Sequence, residues 1–589
     1  LAVLSLLLLL SAAPPPSLTT VAESSRYQRT GRYEEVITLC AAFEQRYPGR
    51  VRCERFGTTP EGRPLLALIA SEDGVLDPAA ARSKARPVLL AQAGIHAGEI
   101  DGKDAGFEVL RELLEGRKLP GVLRKLTWVF VPVFNVDGHE RFGKNNRPNQ
   151  RGPEEMGWRT TAQNYNLNRD YTKIDTPEMT AMLRLVSAFD PILYADLHVT
   201  DGADFQPDIA VLLAPTDSGL EPLLSAARSV RDAVVGRLNQ GGHLALPFYP
   251  SFEVDDDPSS GFALGSAPPR FQTGYWSERN RLAVLVETHS WKDYPTRVRA
   301  TRDALYALLA EAELHVGEWV SAGLEADRRA ARLAGTEVVL SVEAEEPGRV
   351  IDFPGYAYER RPSAISGAIR ISYDPKRPQI WRVPLREVLK PKLLVTAPRG
   401  GYLVPAAQAA LIEEKLALHG IERVRIAGAL GARPVEVFVA ETAKLGEASF
   451  EGHQLLKVTG RWKVERRSFG PGALWVPMAQ KNARLLLQLL EPSAPDSFLA
   501  WGLFNPFFEQ KEYLEAYVAE EVAEQMLSKS QALREEFTQR LKDPQFAASP
   551  QKRLDFFYAR HPSRDEALNR YPIVRLDAAP AETQSGNSK

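Results

Sequence analysis

Cysteine is nearly missing: two of the 589 residues, Cys40 and Cys53. No Cys-x-x-Cys pair exists, so a structural zinc knuckle is not indicated. Cys40 shares a helical face with Val36 and Phe43, as a small buried hydrophobe does; in an exported chain the two would be free to pair. No apolar run reaches the roughly 18 residues that suggest a membrane span, so no transmembrane helix is expected. Excess charge is also lacking. The net charge is −2 and the sequence pI about 6.6, which gives no long-range pull toward nucleic acid or an anionic membrane. There is no internal repeat and no coiled-coil heptad pattern. The Gly-x-Ser-x-Gly elbow, the Walker loop and Gly-x-Gly-x-x-Gly are absent too, which leaves serine hydrolase, nucleotide-binding and Rossmann readings without support.

What is present is a chain too long for one core, so two or three domains are expected. Hydrophobic content of 44% with 25% charged residues is that of a soluble globular protein. Residues Leu1 to Ala13 read as the apolar core of a secretory signal, although an initiator Met and a basic flank are missing. Small residues at Ser11 and Ala13, or at Thr20 and Ala22, would mark cleavage. The sequence therefore divides into a signal over 1–22, its start truncated or misassigned, a domain over 23–330, and a further region over 331–589. The expected location is secreted or periplasmic.

Along 23–330, strand-like and helical patterns alternate. The apolar run Val88 to Ala91, the helical spacing of Phe107, Leu110, Leu113 and Leu114, and the runs Leu126 to Val133, Ile192 to His198 and Leu282 to Glu287 predict an α/β domain. Its sheet is mixed and twisted, with helices on both faces and functional groups at the carboxyl ends of the strands. Residues 139–175 are polar and without periodicity, the texture of a long functional loop. From about Thr336 the chain turns to strand-like runs separated by Pro and Gly, a β-rich α+β region with a helical end.

The strand Val88 to Ala91 leads into Gly94-Ile95-His96-Ala97-Gly98-Glu99. A His and a Glu three apart at a strand-to-helix corner can converge on one small volume, and a second His would complete a His₂Glu zinc site with one open position. By itself the pair is a weak signal. Strand ends elsewhere supply His198, two residues after Asp196, and Glu287, two before His289. A carboxylate closing so apolar a strand as Leu282 to Val286 is costly unless it is used.

The order of these motifs resembles the zinc carboxypeptidases of the pancreatic carboxypeptidase A type over roughly residues 25–310. The resemblance runs through Glu61-Gly62-Arg63-Pro64, His96-Ala97-Gly98-Glu99, Asn135-Val136-Asp137-Gly138, Asn166-Leu167-Asn168-Arg169, Asp196-Leu197-His198 and Val286-Glu287. It implies one Zn²⁺ per chain held by His96, Glu99 and His198, with Glu287 as general base. Asn168 and Arg169 would grip the C-terminal carboxylate of a peptide or protein substrate, and a planar guanidinium suits that role. Arg159, in a Trp158-Arg159 step, would steady the negative charge developing on the carbonyl oxygen, although Arg147 and Arg151 lie in the same unaligned loop. Tyr275 is the nearest counterpart of the family's mobile active-site tyrosine, with packing beside Trp276 as its alternative.

Two departures stand out. The family's Arg between the zinc His and Glu is Gly98 here, and its Asp two residues before the carboxylate-binding Asn is Asn166, which accepts from an imidazole N–H without a full charge. His289 is placed on the face of Glu287. His139, His243, His315, His419, His453 and His561 lack ligand spacing and read as surface or core. The implied activity is zinc-dependent hydrolysis of C-terminal peptide bonds. Its rivals are a zinc amidase on the same scaffold, acting on cell-wall peptides or N-acyl amino acids, and an inactive binding protein.

Overall fold

Val88–Ala93 is buried along its whole length, and a strand apolar on both faces has to lie inside a sheet covered on both sides. In the computed structural model, which describes residues 17–216, 219 and 221–581, this is what it does. The strands of the first half are β1 (Val51–Thr58), β2 (Pro64–Ala70), β3 (Val88–Ala93), β4 (Thr127–Val131), β5 (Leu193–Val199), β6 (Ile209–Ala214), β7 (Ala245–Leu246), β8 (Phe262–Ala263) and β9 (Leu282–Thr288). All but β8 form one eight-stranded sheet in the order β1-β2-β4-β3-β5-β9-β6-β7. The neighbours β4, β3, β5 and β9 are parallel, while β1–β2, β2–β4 and β6–β9 are antiparallel. The sheet is mixed, as expected.

Helices Tyr33–Arg46, Asp101–Leu114 and Tyr294–Ala330 contribute to the core on one face. The other face is covered by helix Pro177–Phe189 and, without a break in the packing, by the second half of the chain. Val129 and Val131 of β4 share one apolar cluster with Val404, Leu474 and Leu485. That second half is β-rich. It contains the pair Glu337–Ala344 and Leu389–Thr396, the long hairpin Arg349–Pro362 and Ile369–Arg386, and a six-stranded sheet that includes Leu430–Leu445 and Leu456–Phe469. Leu385 of the long hairpin pairs in parallel with Phe262 of β8, so this region also buttresses the loops around 250–270.

The signal assigned to residues 1–22 lies for the most part outside the described residues. Within them, Thr20 caps the short helix Val21–Ser24 and Ala22 is fully buried. Cys40 and Cys53 form a disulfide between helix Tyr33–Arg46 and β1. No helix among the described residues is long and apolar enough to cross a membrane.

Strand order positions the site. The chain leaves β3 toward β4 on one side, and β5 lies on the other side of β3. Such a switch opens a crevice at the carboxyl ends of the strands. There β5 and β9 are in register with His198 opposite Glu287, and His96 follows the end of β3.

Candidate active site

His96, Glu99 and His198 are all buried, and one ligand atom from each lies within 4.8 Å of the others. Glu99 is the hub. Its Oε1 is 3.0 Å from His96 Nδ1 and its Oε2 is 2.9 Å from His198 Nδ1. The far nitrogens are anchored: His96 Nε2 is 3.1 Å from Asn166 Oδ1, and His198 Nε2 is 2.9 Å from Asp196 Oδ2. An amide oxygen and a carboxylate only accept, so each Nε2 carries the proton. At His96, which burial keeps neutral, the Nδ1 lone pair then points at the carboxylate, an acceptor-to-acceptor contact that a cation between them resolves. Two imidazole nitrogens and one carboxylate oxygen suit Zn²⁺, and the outer acceptors are those that orient metal-binding histidines.

The protonation tendencies follow from burial and neighbours. Burial pushes His96 down to about 4. At His198 burial opposes the charge, but Asp196 and Glu99 outweigh it and raise the group well above its ordinary value. Glu99 is held well below the carboxylate range, since His96, Arg147 and His198 outweigh its burial. Glu287 sits at the end of β9 with Oε2 buried and unpartnered among the described residues. Burial, supported by the Glu99, Asp196 and Asp201 carboxylates, raises it to about 8 against the pull of His198.

A cleft of about 410 Å³ opens over these groups, and Arg159, Asn168, Arg169, Tyr249 and Gln272 are among the residues lining it. Arg159 is partly exposed, with Nη1 3.5 Å from Glu99 Oε1. Arg169 stacks 4.1 Å above the Phe271 ring and donates to the carbonyl of Asn168 at 2.7 Å. Neither its ion pairing nor its surroundings include a carboxylate within salt-bridge distance among the described residues. Burial, then Arg159 and Arg270, lowers its pKa to about 10. Asn168 leaves its Oδ1 buried without a partner among the described residues. The aperiodic stretch 139–175 brings in Arg159, Asn168 and Arg169, the last two in the 3₁₀ turn Leu167–Arg169, capped by the Asn166 side chain.

Tyr275 is not in the cleft. It is fully buried, and because His419 Nε2 donates to the Thr172 carbonyl, the Tyr275 hydroxyl donates to His419 Nδ1 at 2.9 Å. Its neighbour Trp276 stands edge-on at 5.3 Å. Helical residues around 275 bury this face, so Tyr275 is a core residue. Tyr249 is the tyrosine lining the cleft, with its phenol raised by burial and by the Glu287 and Glu99 carboxylates. Only its place in a Pro- and Gly-flanked loop could have marked it in the sequence.

Arg147 is the other group that sequence reasoning left unassigned. Its Nη2 is 3.0 Å from Glu99 Oε1 and 3.3 Å from Asp201 Oδ1. His289 turns away from the cleft and stacks 3.9 Å from Phe205. His243, His419 and His453 are each tied to a carboxylate, hydroxyl or carbonyl partner elsewhere.

The sequence matches the family model described as zinc carboxypeptidase over residues 36–203, a span that holds His96, Glu99 and His198 and stops short of Glu287. It is 26% identical over 174 residues to a protein named "probable carboxypeptidase 2" from Trichophyton verrucosum, covering 29% of this chain and 29% of that protein. The chain thus spans under a third of the length of that curated relative. Among solved structures, a metallo-carboxypeptidase from Burkholderia cenocepacia is 16% identical over 48% of this chain and 69% of its own, with a TM-score of 0.35. The carboxypeptidase A of Helicoverpa armigera is 16% identical over 51% and 74% respectively, with a TM-score of 0.34. The match to the zinc carboxypeptidase family model thus spans residues 36–203 of this chain.

Proposed function

We propose that the chain is a zinc-dependent metallocarboxypeptidase that removes the C-terminal residue of peptides. The observation that carries this reading is the juxtaposition, in one cleft, of the His96–Glu99–His198 donor set with Glu287 and with Arg169, a cation that has no carboxylate within salt-bridge distance among the described residues. A Zn²⁺ held by these three residues would supply an acidified water, with a pKa of about 7, and a Lewis acid for a carbonyl.

The chain's own residues do the rest. Arg169 and Asn168 bind and orient the terminal carboxylate, with the Phe271 ring keeping the guanidinium in place. Arg159 donates to the carbonyl oxygen as negative charge develops on it; one such donor is worth on the order of 2.7–4 kcal/mol. Glu287 accepts the water proton and returns it to the leaving amine, and its raised affinity for a proton suits that shuttle. Leu212, Ala214 and Leu285 on β6 and β9 give the cleft an apolar wall for the departing side chain.

The amidase reading stays second: it shares the donor set but has less use for a guanidinium placed in the cleft at Arg169. The test is zinc analysis of the purified chain with hydrolysis of one peptide carrying either a free or an amidated C-terminus. Preference for the free carboxylate is expected, and equal cleavage of both would sink the carboxypeptidase reading. An exported location, secreted or periplasmic, is part of the proposal; the Cys40–Cys53 disulfide supports it, since such bonds persist in oxidising compartments.

A further inference from the structure

The second half of the chain reaches into the site through one turn. Between strands Leu430–Leu445 and Leu456–Phe469 the chain closes a tight tip in which Phe450 N donates to His453 O at 2.8 Å and His453 N to Phe450 O at 3.0 Å. The central pair is Glu451, at φ +49°, and Gly452, at φ +79°. Two successive residues at positive φ suit a type I′ turn, whose first position favours Asn, Asp or Gly because a Cβ is strained there. A glutamate at that position needs a reason. Its side chain provides one: Glu451 Oε2 accepts from the backbone N–H of Asn166 at 3.0 Å.

Asn166 is the residue through which two parts of the site are held. Its Oδ1 accepts from His96 Nε2 at 3.1 Å and from the Asn168 backbone N–H at 3.0 Å. It therefore fixes the ring of one metal-binding histidine and starts the turn that carries Asn168 and Arg169. The tip itself is pinned beside this segment. His453 Nε2 lies 2.6 Å from Asp175 Oδ2, the Phe450 ring stacks on Trp501 at 6.0 Å, and a Cβ on Gly452 would come within 3.2 Å of the Tyr165 ring. Strained backbone over-determined by its surroundings is the pattern found at functional positions.

We infer that Glu451 is a positioning residue for the site: by holding Asn166, it lets the C-terminal region set the orientation of His96 and of the Asn168–Arg169 turn. This rests on the reading of His96, Glu99 and His198 as metal ligands.

The test uses the full-length chain with Glu451→Gln, Glu451→Ala and Glu451→Gly, measuring zinc Kd by chelator competition, kcat and KM on a free-carboxylate peptide, and thermal midpoint. Glutamine can accept the same hydrogen bond, so its zinc Kd should stay within about twofold of the parent. Alanine and glycine should weaken zinc by about five- to tenfold, toward the lower end of what loss of an outer partner costs, and raise KM. Glycine should do so with a midpoint at or above that of alanine, because it relieves the positive φ. Parent-like zinc affinity in the alanine and glycine variants would overturn the inference, as would glutamine binding as weakly as alanine. A parent chain that binds no zinc would instead overturn the metal-site reading beneath it.

Discussion

A Cβ placed on Gly98 would stand 2.6 Å from Cγ of Arg147 and 2.7 Å from the carbonyl oxygen of Gly157. The bare backbone between His96 and Glu99 is thus the space through which Arg147 reaches Glu99. A cation is still supplied to this side of the donor set, but from a loop some fifty residues on rather than from the position between the ligands. Gly98→Ala should displace Arg147 or the Gly157 loop and lower kcat/KM by roughly tenfold, the scale of a lost charged hydrogen bond. Steady-state kinetics beside Arg147→Ala checks it: the double variant should be no worse than the poorer single one, and full additivity would contradict a shared cause.

Glu287 faces His198 across two parallel strands yet is not among the three clustered ligand residues. Glu287→Gln should therefore keep zinc at one per chain while turnover falls by at least ~10². Metal analysis and single-turnover hydrolysis on the same sample separate the two properties. Turnover at the parent rate would remove Glu287 from the reaction.

Arg169 offers its guanidinium to the cleft on a Phe271 platform. Arg169→Lys keeps the charge but loses the planar fork and the stacking. KM for a free-carboxylate peptide should rise roughly tenfold or more with a smaller change in kcat, and discrimination between free and amidated peptides should shrink. An unchanged ratio between the two substrates would assign carboxylate recognition elsewhere.

His243 provides a stability switch away from the site. It lies between Asp208 at 2.7 Å and Asp303 at 3.1 Å. Hydrogen bonds that it donates to these carboxylates, Asp208 first, outweigh burial and raise it from 6.5 to about 9. A folded-state pKa above the unfolded one contributes stability that is fully present below about pH 6.5 and is lost as pH rises through 9. The interval sets a ceiling of ~3 kcal/mol. His243→Gln should lower the urea midpoint clearly at pH 6 and much less at pH 9.5; an equal loss at both would mean that packing, not charge, is what His243 contributes.

Local signals were legible where the physics is local. The apolar runs of β3, β5 and β9 cannot be satisfied except inside a sheet, and the Phe107–Leu114 spacing can bury only one helical face, so the α/β character of the first half and the corner holding His96 and Glu99 followed from short stretches. The Asn166 amide oxygen was expected to accept from an imidazole, and it does so from His96. Tyr275 shows where this reasoning stops. Proximity to Glu287 along the chain says nothing about which way a helical side chain faces, and here the face is turned to His419 from the other half of the molecule.

By itself, then, the sequence determined the strand-end carboxylate and imidazoles, the loop rich in Asn and Arg, and the change of texture near residue 336, since each depends on neighbours within a few positions. Tertiary structure alone decided that Arg147 passes over Gly98, that Tyr249 and not Tyr275 lines the cleft, and that Glu451 reaches Asn166 across 285 positions of chain. The physical reason is the same in each case. A hydrogen bond or steric contact between distant segments depends on how sheets and loops stack, and no periodicity in either segment records its partner.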